Sequence, residues 1–117
     1  GNLIPGSRVK VLRSREEWHA FLVEALDPNP AVVYFTAKWC EDCKRMDPLF
    51  EELSNTYPEI AFRKVDIDEN SKAATNAAVR DVPHFLFFTD GALATHFSKA
   101  NPRLLRQTLL EMNEGYL

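Results

Sequence analysis

Apolar residues follow two alternating patterns along the chain, and each pattern predicts one kind of element. Short stretches that are apolar at successive or alternate positions are typical of strands. They occur at 9–12, 31–35, 60–65, 84–88 and 93–97. The run at 31–35 is apolar at every position, as expected of a central strand covered on both faces. The pair Asp90-Gly91 between the last two stretches predicts a hairpin.

Helical spacing of apolar residues separates these strands. Ser14, with Glu17 three residues on, is expected to form a capping box at the start of the first helix. Asn101 followed by Pro102 is expected to open the last helix, and a shorter helix is expected over 72–78. The predicted buried stripes of the three longer helices are Trp18, Phe21, Leu22, Ala25 and Leu26, then Met46, Leu49, Phe50, Leu53 and Tyr57, and then Leu104, Leu105, Leu109 and Met112.

The resulting order, βαβαβαββα, predicts an α/β fold in which a mixed sheet carries helices on both faces. The 117 residues fit one domain, which we place at 7–114, with a flexible segment or cloning remnant at 1–6 and a tail at 115–117.

Composition and charge narrow the classes of partner. The net charge of −3 gives no reason to expect nucleic acid or an anionic membrane. No apolar stretch approaches the roughly 18 residues of a membrane span, and the N-terminus lacks the basic start and apolar segment of a signal peptide. We expect a monomer in a reducing compartment, the cytoplasm by default or an organelle if a targeting segment was removed.

The two cysteines of the chain stand in Trp39-Cys40-Glu41-Asp42-Cys43, directly after the central apolar run. A strand that delivers Cys-x-x-Cys to the start of a helix is the arrangement used in thiol–disulfide exchange. The unpaired N–H groups and dipole of a helix N-terminus favour a thiolate on Cys40, and Cys43 lies nearly one turn later on the same face. We expect Cys40 to attack a substrate disulfide and Cys43 to resolve the mixed disulfide.

Two other uses of the cysteine pair stay open from the residues alone, namely inert buried thiols and half of a zinc site. A zinc site needs about four ligands. The sequence offers no second cysteine pair, and its histidines, His19, His84 and His96, are scattered. We therefore expect no metal, and no cofactor other than the redox-active disulfide of Cys40 and Cys43.

From about residue 9 to 112 the chain resembles the thioredoxin family. The resemblance rests on the Trp-Cys-x-x-Cys that opens a helix, the basic Lys44 after it and Pro48, which should kink the helix. It rests further on the Lys-Val-Asp-Ile-Asp segment at 64–68 and on Val82-Pro83, with the proline forty residues after the second cysteine.

The resemblance implies a fold and a set of partners. It implies a cis bond before Pro83, with the proline packed against the disulfide, and that Val82 and Pro83 offer backbone to an extended substrate. We take Trp39, Val82, Pro83 and His84 as the candidate substrate-binding residues, although Trp39 could instead pack against the active-site loop. It also implies that the substrates are disulfide-containing proteins and that a thioredoxin-reductase-like flavoenzyme or another dithiol supplies the electrons.

Glu41 and Asp42 depart from the family pattern, which has Gly-Pro between the cysteines. Acidic residues in a first turn stabilise a helix by about 0.3–1 kcal/mol each. A carboxylate roughly 6 Å from a thiolate also costs that thiolate on the order of 0.7 kcal/mol in water-like dielectric, about half a pKa unit. Lys38, Lys44 and Arg45 offset part of this cost. We expect a raised Cys40 pKa and a more reducing couple than in a Gly-Pro version.

Three further positions are candidates for tuning the site. Tyr34 stands where the family carries a buried aspartate that helps to deprotonate the resolving cysteine, and a phenol with a pKa of about 10 is a poor base near neutral pH. We therefore predict slow resolution, accelerated by Tyr34→Asp. Lys64 lies near that position by analogy, or is a surface cation at a strand end. His84 follows the cis-proline and is either a solvent-facing residue or a pH-sensitive group.

The residues favour a thiol–disulfide oxidoreductase that reduces protein disulfides. A specialised reductase of small-molecule or narrow protein disulfides is the second possibility, which the acidic pair Glu41 and Asp42 favours. A non-catalytic binding or scaffold module on the same fold is the third, and the intact Cys-x-x-Cys weighs against it.

Overall fold

The structure is a computed structural model that describes residues 3–117. Its elements follow the predicted order, βαβαβαββα, which is confirmed. They are β1 (Lys10–Val11), α1 (Arg15–Glu24), β2 (Ala31–Thr36), α2 (Glu41–Thr56), β3 (Ala61–Asp66), α3 (Ser71–Asn76), β4 (His84–Thr89), β5 (Ala92–Ser98) and α4 (Pro102–Asn113).

The five strands form one mixed sheet in the order β1-β3-β2-β4-β5. β3 runs parallel to β1 and β2, while β4 pairs antiparallel with β2 and with β5. The predicted α/β fold with a mixed sheet is therefore confirmed. Strand β2 lies at the centre, and all of its residues are buried.

Alternate residues of β2 feed two separate cores, one on each face of the sheet. Val32 and Tyr34 belong to a cluster with side chains of α2 and α4. Val33 and Phe35 belong to a second cluster with side chains of α1 and α3. This period-2 division explains why the run is apolar at every position. The functional loop after β2 is thus anchored by packing on both sides.

Two residues of the predicted helical stripes lie outside the core, so these predictions are wrong. Leu26 is exposed because α1 ends at Glu24 and Leu26 lies in the turn that follows. Leu104 is exposed in the first turn of α4, whose buried residues begin at Leu105. Both errors concern helix ends, where an apolar residue at helical spacing can still face solvent.

The predicted helix caps are present with one difference. The Ser14 hydroxyl accepts a hydrogen bond from the Glu17 N–H at 3.1 Å, as in a capping box. The Glu17 carboxylate, however, accepts from the N–H of Arg13 at 2.7 Å instead of from Ser14. Asn101 accepts from the Leu104 N–H at 3.0 Å and so caps α4.

The chain ends bear on the predicted domain limits. The predicted flexible segment at 1–6 falls partly on residues 1 and 2, which lie outside the described residues. In the described part of this segment, the Ile4 N–H donates to the Glu51 carboxylate at 3.3 Å. This hydrogen bond attaches the segment to α2. The domain limits of 7–114 stay a prediction. Within residues 3–117, no helix has the length and apolar character needed to span a membrane.

Candidate active site

Strand β2 and helix α2 place the two cysteines. β2 ends at Thr36, a short loop follows, and Cys40 is the N-cap of α2. The Cys40 sulfur accepts a hydrogen bond from the Cys43 N–H at 3.1 Å, so the side chain occupies the position that a capping oxygen usually takes. The loop itself is closed by the Cys40 N–H, which donates to the Ala37 carbonyl at 3.2 Å.

Cys40 and Cys43 are joined as a disulfide, with their Cα atoms 5.3 Å apart. Cys40 is 6% exposed and Cys43 is 1% exposed. Cys40, at the N-cap, is thus the more accessible of the two cysteines to a substrate. After reduction, the same Cys43 N–H and the helix dipole favour a thiolate on Cys40. The geometry therefore fits attack by Cys40 and resolution by Cys43.

Glu41 and Asp42 are each paired with a cation three residues further along α2. The Glu41 carboxylate lies 2.9 Å from Lys44 Nζ, and the Asp42 carboxylate lies 2.5 Å from the Arg45 guanidinium. All four side chains are well exposed, so each pair contributes little to stability. Two cations therefore oppose the two carboxylates at close range, and the field of the acidic pair at the cysteines is reduced.

The Tyr34 hydroxyl lies beneath the first turns of α2. It is buried and lies 2.6 Å from Asp47 Oδ1 and 3.0 Å from the Cys43 carbonyl oxygen. Burial, and then the hydrogen bond to Asp47, raise the pKa of Tyr34 far above its ordinary value. The phenol therefore stays protonated and is a hydrogen-bond donor, in keeping with the expectation that it is no base.

Lys64 belongs to the same group of side chains. Its Nζ lies 3.8 Å from Asp47 Oδ1 and 5.9 Å from the centre of the Tyr34 ring. The Lys64 side chain is only 12% exposed. Lys64 therefore lies near Tyr34, as the first of the two expectations has it, and is not a free cation at the surface.

Asp47 is a residue of the site that the sequence reasoning missed. It follows Cys43 by four residues on α2, and residues four apart on a helix lie on one face. Side chains of a helix also lean toward its N-terminus, so the Asp47 carboxylate is directed toward the Cys43 turn. The i, i+4 spacing was a usable signal, although the contact with Tyr34 was not readable from the sequence.

The residues predicted for docking lie on the rim of the site. The Val82–Pro83 bond is cis, as the resemblance implies, and Pro83 is the buried residue before β4. Val82 packs against the cluster that contains both cysteines. Trp39 is 65% exposed, and its Nε1–H donates to the Asp68 carboxylate at 2.8 Å. An apolar ring is therefore held beside the disulfide at the surface.

His84 is not isolated, and the prediction that the histidines are scattered is wrong for His84 and His96. Their rings stack with centroids 5.3 Å apart, and His84 Nε2 lies 3.2 Å from His96 Nδ1. His84 Nδ1 lies 3.3 Å from an Asp81 carboxylate oxygen. A bulge between Phe87 and Phe88 causes this contact, because it moves His96 onto the face of the sheet that carries His84.

A hydrogen bond to Ser98, and then the neighbouring His84, hold the pKa of Asp81 below its usual value.

Within residues 3–117, no three side chains of the His, Cys, Asp or Glu type are placed to hold a metal ion.

Comparison with known proteins identifies the family. A sequence model of the family described as Thioredoxin matches residues 9–111. Thioredoxin-3 of Dictyostelium discoideum is 38% identical over 103 residues, which cover 88% of this chain and 95% of that protein. The thioredoxin of Rattus norvegicus is 35% identical over 103 residues, covering 88% and 97%.

Solved structures agree with the sequence comparison. The structure of thioredoxin O2 from Arabidopsis thaliana in the oxidized state superposes with a TM-score of 0.85 at 35% identity, covering 92% of this chain and 96% of that one. With its Cys40–Cys43 pair bonded at the start of α2, the chain belongs to the thioredoxin family and is a thiol–disulfide oxidoreductase that acts as a protein disulfide reductase.

Proposed function

We propose that this protein reduces disulfides of extended protein segments that dock between Trp39 and the Val82–Pro83 loop. The observation that carries the proposal is that Cys40, the more exposed cysteine of the pair, directly follows the exposed Trp39 and belongs to the cluster against which Val82 packs. The ring of Trp39 offers an apolar contact. The backbone before β4 offers hydrogen-bonding groups to a chain that lies in extended conformation.

We further propose that the electrons come from a thioredoxin-reductase-like flavoenzyme and that the protein works as a monomer in a reducing compartment such as the cytoplasm. The family supports a flavoenzyme donor, since the cysteine pair must be reduced again after each substrate. Two cysteines in a chain with two buried cores also fit a compartment in which disulfides do not staple the fold.

The direct experiment is insulin reduction coupled to NADPH and a thioredoxin reductase. Wild type should turn over many times, Cys40→Ser should be inactive, and Cys43→Ser should fail to turn over. Turnover by Cys43→Ser would contradict the two-cysteine mechanism. Reduction of DTNB but not of insulin would contradict protein segments as the substrates.

A second candidate is a specialised reductase, and the acidic pair favours it. Glu41 and Asp42 are well exposed beside the sulfur that meets the substrate, so they disfavour acidic segments and favour basic ones. A set of disulfide peptides that differ only in flanking charge separates the two candidates. Equal kcat/KM values for acidic and basic peptides would contradict the specialised reductase and support the general one.

The same pair bears on the reducing character of the couple. Replacing Glu41 by Gly and Asp42 by Pro should lower the Cys40 pKa, by at most about half a unit, because Lys44 and Arg45 already oppose the two charges. Thiolate absorbance followed against pH measures this. An unchanged or higher pKa in the variant would contradict electrostatic tuning by the pair.

A further inference from the structure

Resolution by Cys43 needs a group that takes its proton. The thiol is buried, and the thiolate rather than the thiol attacks a disulfide. A buried apolar setting disfavours the thiolate, so a nearby acceptor is valuable. Tyr34 cannot be that acceptor, because burial raises its pKa and it enters the site as a donor. The acceptor must therefore lie elsewhere near Cys43.

Asp47 is linked to the backbone of Cys43 through a single shared partner, the Tyr34 hydroxyl, and it lies one helical turn after Cys43 on α2. Its Oδ1 lies 2.6 Å from the Tyr34 hydroxyl, and the same hydroxyl lies 3.0 Å from the Cys43 carbonyl oxygen. One phenolic hydrogen thus faces two acceptors. If Asp47 gains a proton, it can donate to the Tyr34 oxygen while Tyr34 donates to the Cys43 carbonyl. The hydrogen-bonding groups around Asp47 can therefore accommodate both of its protonation states.

The surroundings of Asp47 combine a fixed cation with access for water. Lys64 Nζ lies 3.8 Å from Oδ1, and the Asp47 side chain is 30% exposed. The carboxylate borders an open cavity of about 280 Å³, which has room for several waters. A general base acts within hydrogen-bond distance or through one water. The charged groups that line the cavity with Asp47 are Arg13, Lys38, Lys64, Asp66 and Glu69.

Three of these other charged groups have partners other than Asp47. Arg13 pairs with Glu69 at 3.0 Å. Asp66 accepts hydrogen bonds from the N–H groups of Asp68 and Glu69, at 2.9 and 3.1 Å. Lys64 is directed at Asp47 instead, so the carboxylate has a partner that holds it in place.

We propose that Asp47 accepts the proton of the Cys43 thiol during resolution, while Tyr34 and Lys64 hold it in position. The inference rests on the two-cysteine reductase function proposed above. In this step the S–H bond of Cys43 breaks, and its proton passes to the Asp47 carboxylate. The Cys43 thiolate forms the S–S bond to the Cys40 sulfur. The electron pair of the broken mixed disulfide leaves on the substrate sulfur, which is reduced while the cysteine pair is oxidised.

The test separates the two chemical steps with DTNB. Reduced protein releases one thionitrobenzoate when Cys40 attacks and a second when Cys43 resolves. Stopped-flow absorbance from pH 5 to pH 8 gives a rate for each phase. Asp47→Asn is the variant, because the amide oxygen still accepts from Tyr34 but takes no proton. Glu52→Gln is the matched control, since it removes a carboxylate from the exposed side of the same helix.

In Asp47→Asn the second phase should slow at least about tenfold, since a general base typically contributes roughly 10²–10⁴-fold, while the first phase changes less than about twofold. The deficit should be largest at low pH and should shrink toward the ordinary thiol pKa of about 8.5, where free thiolate forms without a base. Glu52→Gln should match wild type in both phases. In Asp47→Ala, added formate should restore part of the second phase.

Equal slowing of both phases in Asp47→Asn, or a second phase within about twofold of wild type at every pH, would overturn the proposal. So would a deficit that is independent of pH and unaffected by formate. If Asp47→Asn does not fold, Tyr34→Phe keeps the test open, because it leaves the carboxylate but removes its donor and should slow only the second phase. Loss of the first phase in wild type would instead defeat the reductase function itself.

Discussion

Removing the Tyr34 hydroxyl is the most direct test of the group of side chains beneath α2. Tyr34→Phe keeps the ring, which stacks on Phe85 at 4.8 Å and lies 5.1 Å from Phe50. Only the oxygen is lost, so packing changes little. The substitution therefore isolates the hydrogen bonds to Asp47 and to the Cys43 carbonyl.

The expected loss of stability follows from the partners of that hydroxyl. A hydrogen bond to a charged group contributes about 1.5–3 kcal/mol. Here both acceptors keep alternatives, because Asp47 retains Lys64 and some contact with water, and the Cys43 carbonyl lies inside a helix. No buried polar atom is orphaned by the change. The loss should therefore be near the low end, about 1–2 kcal/mol.

Urea denaturation of the reduced proteins measures this loss, with the slope m reporting whether the transition itself has changed. Tyr116→Phe is the matched control, since Tyr116 is exposed and its substitution should stay within about 0.5 kcal/mol of wild type. In an Asp47→Ala background the cost of Tyr34→Phe should fall by about half or more, as expected of directly coupled residues. A loss below about 0.5 kcal/mol, or one that Asp47→Ala leaves unchanged, would refute the contact between the hydroxyl and the carboxylate.

Three other predictions concern the cysteines, the acid range and the docking surface. Cys43→Ser should trap a covalent adduct between Cys40 and a substrate cysteine, detected as a mass increase that dithiothreitol removes; absence of an adduct would contradict attack by Cys40. Asp81 has a lowered pKa, so its stabilising effect is present above the ordinary value of 3.8 and is lost as pH falls through the lower value of the folded state. Asp81→Asn should therefore reduce stability at neutral pH and flatten the decline below pH 3.8, measured by thermal unfolding against pH; an unaltered decline would exclude Asp81 as its source. Trp39→Ala should raise KM for insulin severalfold and leave the first DTNB phase within about twofold, because one substrate needs the docking surface and the other does not; an unchanged KM would remove Trp39 from that surface.

The central elements were predictable because their signals are local. The continuous apolar run gave β2, and the caps at Ser14 and Asn101 gave two helix starts. The cis bond before Pro83 and the pairing of the cysteines were predicted from residue spacing and from the family resemblance. Each of these depends on neighbours in the sequence or on a motif with a fixed offset, so one chain was enough to place them.

The contacts of the site were less predictable because they depend on register. A regular two-residue hairpin at Asp90-Gly91 would put His96 on the face opposite His84, and a single bulge reverses that. The contact of Tyr34 with Asp47 depends on how α2 is rotated above β2. Neither the bulge nor the rotation of α2 can be predicted from the hydrophobic pattern. The same residue types would be compatible with a regular hairpin or with a different rotation of the helix.

The carboxylates near the disulfide thus fall into two groups with different physical settings. Glu41 and Asp42 are well exposed and paired with cations one turn away, so solvent and partners weaken their effect on the sulfurs. Asp47 is less exposed, accepts a hydrogen bond from the buried Tyr34 hydroxyl and has Lys64 at 3.8 Å, so its contacts are screened less by solvent. A tyrosine on β2 removes a possible base from the strand, and the structure supplies a carboxylate from the helix instead. The rate of resolution should therefore depend on Asp47 far more than on the two acidic residues that stand between the cysteines.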